Sequence, residues 1–230
     1  NPRVMSRPLL GPKDPPPFEV LNTDGPAPIF LVCDHAGNRI PAALETLGLD
    51  AARLKSHITH DIGAGEVTRL LSARLGASAV LASYSRLVID INRDPGHPSS
   101  ILAVSDDVPV PGNRDVDEHA RFQRIESLFR PYHRAVENQL TRVWRHGRPP
   151  IIFSVHSFTP RLGGEDRPWH AGVLWNRDPR LAKLLLDALM RSGDLTIGDN
   201  LPYSGSDVAY TLDRHADAAG LSHAAIEIRQ

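Results

Sequence analysis

Two histidines and one aspartate have the residue types and positions that a catalytic metal site requires. His35 and His156 each follow directly after an apolar segment typical of a buried strand, and Asp61 precedes a predicted helix. Hydrolytic zinc sites commonly use three protein ligands and leave one position for water, and histidine and carboxylate suit zinc where thiolates are absent. The sequence therefore indicates zinc held by these three residues. Three alternatives stay open: His35 and His156 could be hydrogen-bonded structural histidines, His60 could replace Asp61 as a ligand, and Asp61 could be an ordinary helix N-cap.

A carboxylate inside an apolar segment is the second chemical signal. Glu227 interrupts the run 224–228, which we expect to be an interior strand. A buried carboxylate needs a partner, a metal or access to a cleft, and partial burial raises its pKa as a general base requires. The alternative is a glutamate on the solvent face of an edge strand. Arg86 and Arg93 could bind an acidic substrate or polarise a carbonyl, or they could form surface ion pairs.

Composition and missing motifs narrow the class of protein. The 230 residues carry 26 Lys and Arg against 27 Asp and Glu, and this formal net charge of -1 argues against a general nucleic-acid-binding protein. Cys33, the one cysteine, excludes an internal disulfide and a Cys-cluster metal site. The sequence has no phosphate-binding loop, GxGxxG motif, GxSxG elbow or HExxH helix. No apolar run approaches the about 20 residues that span a membrane, so we expect no membrane partner and a cytoplasmic location.

The elements that must position these residues alternate along the chain. Apolar runs predict strands over 29–33, 77–82, 87–91, 151–155, 172–175 and 224–228. Helical spacing predicts helices over 62–75, 115–144 and 180–190, the second kinked or divided at Pro131. This alternation indicates a three-layer α/β/α domain with a mixed, mostly parallel sheet. We expect one such domain over 29–230, preceded by a proline-rich arm over 1–28 without regular structure, and a long functional loop over 94–114.

Several ordered segments resemble the N-formylglutamate amidohydrolase family. The segments are CDHAGNRIP (33–41), HDIGA (60–64), YSR (84–86), NRD (92–94), PYH (131–133), HSFTP (156–160), RPWH (167–170), NLPYSG (200–205) and EIRQ (227–230). Each is weakly specific alone, but the ordered set covers most of 29–230. The chain departs from the pattern of the family members that act on N-formylglutamate at Asp34 and Asn38, so its substrate could differ.

The resemblance implies a fold similar to zinc carboxypeptidases and a zinc-dependent hydrolase of C–N bonds in linear amides. It assigns one zinc to His35, Asp61 and His156, the general base to Glu227 and oxyanion stabilisation to Arg93. The resemblance places Arg86, Asn92 and His215 toward the substrate, and Asn38 and Tyr203 complete the predicted substrate-binding residues.

The implied substrate is a small acidic N-acyl amino acid. The first choice is N-formyl-L-glutamate, which would give formate and glutamate at the end of one route of histidine degradation. Two alternatives remain: a zinc amidase for another N-acyl or cell-wall substrate, and a degenerate small-molecule-binding protein. The sequence does not distinguish zinc from cobalt, nickel or manganese.

Overall fold

A computed structural model describes residues 8–230, except for the side chain of Val208. Strands and helices alternate, as the sequence predicts. Among these residues the strands are β1 (Phe18–Leu21), β2 (Ile29–Cys33), β3 (Ser78–Ala82), β4 (Val104–Ser105), β5 (Val108–Pro109), β6 (Ile151–Phe158), β7 (Arg161–Leu162), β8 (Glu165–Asp166), β9 (Ala171–Leu174), β10 (Ile197–Asp199) and β11 (His223–Arg229). The α-helices are α1 (Ala64–Leu75), α2 (Glu118–Arg124), α3 (Arg130–Trp144), α4 (Arg180–Met190), α5 (Gly205–Val208) and α6 (Tyr210–His215).

The main sheet has seven strands in the order β1-β3-β2-β6-β11-β9-β10. Its four central strands, β3, β2, β6 and β11, run parallel to one another. β1 and β9 pair antiparallel to their neighbours β3 and β11, and β10 runs parallel to β9. The predicted mixed, mostly parallel α/β sheet is therefore confirmed. None of the helices in the described part of the chain is long and apolar enough to cross a membrane.

Period-two alternation along the strands divides their side chains between two cores. On β2, Phe30 and Val32 pack into the core that includes residues of α3 and α6, whereas Leu31 and Cys33 pack with α1. α4 lies on the same side of the sheet as α1. Ala224 packs with α4 and Ile226 with α1, and residues two apart on β11 point to the same face. The three layers follow from this alternation, since each face of the sheet is apolar and must be covered.

Two expectations about strands need correction. The first 28 residues are not without regular structure, because Phe18–Leu21 forms β1 and pairs with β3 at the sheet edge; residues 1–7 lie outside the described range. The segment 87–91 is buried, but it is a turn and not a strand. Its carbonyls at Leu87 and Val88 accept hydrogen bonds from Asn113 and Arg124 side chains, which replace strand pairing.

The predicted helix around Pro131 is divided into two α-helices, as expected, although no loop separates them. α2 passes into α3 through a π-helical turn, Ile125–Phe129, in which the Arg130 N–H bonds to the carbonyl of Ile125. Pro131 cannot donate a backbone hydrogen bond, and the widened turn lies directly before it. The predicted long loop over 94–114 contains the β4–β5 hairpin and short 3₁₀ turns.

Candidate active site

Parallel strands bring the candidate catalytic residues to one edge of the sheet. His35 follows β2 by two residues, whereas His156 lies inside β6, which is longer than predicted because β11 pairs with it as far as Phe158. Glu227 of β11 is the direct partner of His156 in this pairing. Directly opposed residues of neighbouring strands point to the same face, so the two side chains lie side by side.

The His35, Asp61 and His156 side chains converge into one buried cluster. The Oδ2 atom of Asp61 lies 2.8 Å from Nδ1 of His156 and 3.4 Å from Nδ1 of His35. Asp61 is held in place because its backbone N–H donates to the carbonyl of His35. The N-cap of α1 is Gly63, so the alternative role of Asp61 as a helix N-cap does not apply. Burial alone would raise the pKa of Asp61, but His35 and His156 outweigh burial and hold that pKa far below its usual range.

A second carboxylate and an arginine support His35 from behind. The Nε2 atom of His35 lies 2.8 Å from Oδ1 of Asp90, and Arg86 donates to Oδ2 of Asp90 at 2.8 Å. Arg86 also lies 3.6 Å from Oδ1 of Asp61. Burial opposes ionisation of Asp90, but Arg86 and His35 hold its pKa well below the usual range. The ring of His35 is therefore oriented with Nδ1 toward Asp61 and Nε2 toward Asp90.

A third carboxylate stands behind His156. Oδ2 of Asp34 lies 3.5 Å from Nε2 of His156, too far for a hydrogen bond, and Nε2 is 2.9 Å from the hydroxyl of Ser154. The other oxygen of Asp34 accepts hydrogen bonds from the hydroxyls of Tyr132 and Thr211 at 2.8 and 2.9 Å. His156 is thus oriented like His35, with Nδ1 toward Asp61 and Nε2 toward a carboxylate.

Glu227 is buried at the same edge, and its Oε2 atom has no hydrogen-bond partner among the described residues. Burial raises the pKa of Glu227 to about 7, although the charge of His156 opposes this shift. On its other side Glu227 pairs with Gly172 of β9. A Cβ at Gly172 would collide with the carbonyl of Leu201, so glycine allows the 201–203 segment to lie directly on the sheet.

The donor set of the cluster fits a divalent metal ion such as zinc. His35, Asp61 and His156 offer two imidazole nitrogens and a carboxylate oxygen within 4.8 Å of one another. Nδ1 of His35 is buried without a hydrogen-bond partner among the described residues, as expected of an atom reserved for a ligand. His60, the alternative ligand, is only half-buried, and its Nδ1 lies 3.0 Å from the hydroxyl of Thr59, outside the cluster.

The cluster and Glu227 line a cleft of about 290 Å³, close to the lower end of the volumes typical of small-molecule sites. Four of the predicted substrate-facing or catalytic residues line it as well, namely Arg86, Asn92, Arg93 and Tyr203. Arg93 is partly buried and donates to the carbonyl of Asp207 at 2.8 Å. The hydroxyl of Tyr203 accepts a hydrogen bond from Arg167 at 2.9 Å.

Two predicted substrate-binding residues lie elsewhere. Asn38 is exposed and donates to the carbonyl of Leu54 at 3.3 Å, in a separate surface depression. His215 is buried on α6, and its Nε2 lies 2.9 Å from Nδ1 of His133. Neither lines the cleft of the cluster. Their positions do not support direct contact with a substrate bound at the cluster, because neither side chain lines that cleft.

Sequence reasoning missed Asp34, Asp90 and Ser154 as parts of the site. Asp34 precedes His35 directly, and Asp90 lies between the two arginines that drew attention to that segment. The signal that could have found Asp34 and Asp90 is the placement of an aspartate inside or beside an otherwise apolar run, as at Glu227. Both are buried, and a buried carboxylate requires partners.

These features define an α/β protein with a His–Asp–His cluster, suited to a metal ion, at the carboxyl edge of its sheet. The model of the N-formylglutamate amidohydrolase family matches residues 27–230. The chain therefore belongs to this family of hydrolases. An N-formylglutamate deformylase from Pseudomonas aeruginosa is 25% identical over 181 residues, which are 70% of this chain and 65% of that protein. This match thus spans less than two thirds of the relative's length.

The solved structures similar to this chain include two from bacteria. A gene product of Agrobacterium tumefaciens shares 38% identity with a TM-score of 0.92, covering 96% of this chain and 88% of that one. The crystal structure of an N-formylglutamate amidohydrolase from Ralstonia eutropha has a TM-score of 0.67 at 20% identity, covering 93% of this chain and 85% of that one. At that identity the Ralstonia structure supports the fold alone.

Proposed function

We propose that this chain is a metal-dependent amidohydrolase of N-formyl or N-acyl amino acids. N-formyl-L-glutamate is the first compound to test, because the family and the Pseudomonas relative carry its name. The products would be formate and L-glutamate. A cytoplasmic location and a place at the end of histidine degradation belong to the same proposal.

The observation that carries the proposal is the position of Glu227. Its Oε2 atom, which has no hydrogen-bond partner within residues 8–230, is buried beside His156 on the face of the sheet that bears the cluster. A lone buried carboxylate is costly to the fold, and a raised pKa suits a residue that accepts and returns a proton near neutral pH. A purely structural site would leave this cost unexplained.

His35, Asp61 and His156 would hold the metal ion through Nδ1 of each histidine and a carboxylate oxygen. Zinc at such a site lowers the pKa of a water toward about 7 and polarises a carbonyl oxygen. Selection among zinc, cobalt, nickel and manganese depends on geometry and supply.

The residues of the chain divide the remaining work. Glu227 accepts the proton of the attacking water and returns it to the leaving amine. Arg93 donates one hydrogen bond to the carbonyl of Asp207, which holds its guanidinium in place. Its other N–H groups stabilise the developing oxyanion or bind the substrate carboxylate. Arg86 forms an ion pair with Asp90 and lies near Asp61. Its main contribution is therefore positive charge at the edge of the cleft, because these carboxylates engage its N–H donors. Asn92 and Tyr203 complete the substrate-facing wall.

Metal content per chain tests the proposal, with three variants measured beside the wild type. We expect about one zinc per wild-type chain and about one in Glu227→Gln, which should bind zinc but lose turnover of N-formyl-L-glutamate. His156→Ala should lose zinc. His223→Ala is the matched control, because His223 is a buried histidine of β11 whose ring contacts the carbonyl of Leu221 and not the cluster.

Absence of zinc from the wild type after incubation with the ion would overturn the metal-dependent mechanism. Full activity of Glu227→Gln would remove Glu227 as the base and leave the metal site standing.

A further inference from the structure

The cleft continues one row of side chains deeper than Glu227 and His156. Two residues before Glu227 on β11 is Ala225, which pairs with Ser154 of β6 on one side and Leu174 of β9 on the other. Residues two apart on a strand point to the same face, so this row lies under the row of Glu227 and His156, toward the interior of the domain. Ala225, Ser154 and Leu174 all line the cleft.

This deeper part of the cleft is apolar. We call it the lower compartment and define it by Ser154, Leu174, Leu212 and Ala225. Leu174, Leu212 and Ala225 are only 2%, 3% and 4% exposed, yet they line the cleft. Ser154 is the one hydroxyl among the four, and it is engaged with Nε2 of His156 at 2.9 Å. A charged group placed here would lose its hydration without gaining a partner from these residues.

The two arginines of the cleft, Arg86 and Arg93, lie outside the lower compartment. Arg93 is partly buried beside the carbonyl of Asp207, and the Arg86 side chain remains 29% exposed at Asp90. Arginine matches a carboxylate geometrically and electrostatically. A substrate whose amide carbonyl reaches Glu227 therefore places the carboxylate of its amino-acid half toward the arginines. The group on the other side of the carbonyl, the acyl group, is then directed into the lower compartment.

We propose, on the basis of the function proposed above, that the lower compartment binds an apolar acyl group longer than formyl. The substrate class is then N-acyl amino acids with a short alkyl acyl chain and a free carboxylate. Hydrolysis breaks the C–N bond and forms a C–O bond from water, releasing a short-chain carboxylic acid and the amino acid. A formyl group offers only hydrogen to the compartment and leaves its apolar surface unused.

A series of N-acyl-L-glutamates tests this assignment in the zinc-loaded wild type. Formyl, acetyl, propanoyl and butanoyl compounds share one carboxylate-bearing half and differ in the acyl chain alone. From acetyl to butanoyl the carbonyl keeps an alkyl substituent, so burial of each added methylene is expected to raise kcat/KM by about fourfold until the compartment is full.

Two variants locate the effect in the lower compartment. Ala225→Val should narrow it and lower the butanoyl-to-formyl ratio of kcat/KM, whereas Leu212→Ala should widen it and shift the optimum to longer chains. Leu140→Ala is the control for Leu212→Ala, because Leu140 is a buried leucine of the same core that does not line the cleft. Its butanoyl-to-formyl ratio should equal that of the wild type.

The outcomes separate this inference from the function on which it rests. Hydrolysis of none of the four compounds by zinc-loaded wild type would overturn the proposed function. Hydrolysis fastest with formyl and slower with each added carbon would overturn the acyl assignment alone. An unchanged ratio in both Ala225→Val and Leu212→Ala would also overturn the assignment.

Discussion

Two pairs of buried histidines lie on the same side of the sheet and have opposite surroundings. The rings of His35 and His156 meet edge to face, 5.1 Å between centroids, among three aspartates. The rings of His133 and His215 stack at 5.2 Å, with Phe129 and Tyr210 against His133. The first pair faces carboxylates and the cleft, whereas the second faces aromatic rings and a backbone carbonyl.

This difference shows in the pKa values of the two pairs. Burial lowers the pKa of His133 to about 4, and burial with the neighbouring His133 lowers that of His215 to about 4. Burial acts on His156 as well, but Asp34 and Asp61 outweigh it and hold its pKa well above the usual range. Burial alone therefore does not set the charge of these histidines, because the carboxylates around His35 and His156 raise their pKa values against the effect of burial.

His133 and His215 also contribute to the candidate site, because they hold the segment that carries Asp90, the carboxylate beside His35. Nε2 of His133 lies 2.9 Å from the carbonyl of Ile91, so this nitrogen carries the proton and donates. Nδ1 of His133 then accepts from Nε2–H of His215. Ile91 lies between Asp90 and Asn92, and the hydrogen bond therefore anchors the segment that supports His35.

Among changes to the residues behind the two histidines of the cluster, removal of the carboxylate behind His35 should have the largest effect on zinc affinity. Asp90→Asn takes away the charged partner of both His35 and Arg86, and zinc affinity should fall by about 10–100-fold, as for other carboxylates behind metal-bound histidines. Competition with a chelator of known affinity measures it. Asp24→Asn, which removes an exposed aspartate paired with Arg142, should leave the affinity unchanged. Wild-type affinity in Asp90→Asn would contradict the supporting role.

The second histidine pair should make the metal-free protein acid-sensitive. The folded-state pKa of about 4 lies below the unfolded value of about 6.5. The unfolded chain therefore binds protons first, and the pair's stabilisation is complete above pH 6.5 and is lost as pH falls toward 4. Between pH 6.5 and 5.5 each histidine should cost about 1 kcal/mol of unfolding free energy. Glu227 and His156, whose pKa values are raised, contribute with the opposite sign over this range. Urea denaturation with chelator present therefore measures the pair's loss as the difference between the wild type and a variant that lacks the pair.

The double variant His133→Gln/His215→Gln cannot take up these protons, so its stability should decline less over the same pH range. An equal decline in the variant and the wild type would assign the acid sensitivity to other groups.

The carboxylate behind His156 should matter less than Asp90. Its Oδ2 atom is 3.5 Å from Nε2, and hydroxyls rather than a guanidinium hold it. Asp34→Asn should therefore weaken zinc binding by about tenfold, at the lower end of such effects. Tyr132→Phe removes one hydroxyl from Asp34 without touching His156 and should have a smaller effect in the same direction. A greater loss in Asp34→Asn than in Asp90→Asn would reverse the ranking of the two supports.

The sequence predicted those parts that depend on local pattern. Ile29–Cys33 and Arg180–Met190 have the predicted bounds, because apolar period and flanking residues are local properties. Glu227 stood out because a carboxylate in an apolar strand is anomalous. Leu87 and Val88 were misread, because an apolar run does not distinguish a strand from a buried turn whose carbonyls are bound by distant side chains.

The supporting contacts depend on long-range geometry. Asp90 meets His35 across 55 positions of sequence, and Thr211 meets Asp34 across 177. No local pattern encodes such meetings. Long-range packing also explains why His215, which was predicted to face the substrate, does not line the cleft. The sequence does not show whether its side chain points into the cleft or away from it, because the packing of α6 against α3 sets that direction.

The π-helical turn Ile125–Phe129 has a consequence for insertions and deletions. Before it, Arg124 points to the carbonyls of Val88 and Gly112; after it, Tyr132 and His133 point to Asp34 and His215. Each residue of a regular helix advances the side-chain direction by about 100°. A π-helical turn takes up one more residue than an α-helical turn. Deleting one residue within it should therefore give a regular helix whose two ends still face their partners, whereas the same deletion in a regular part of α3 would turn the following side chains by about 100°.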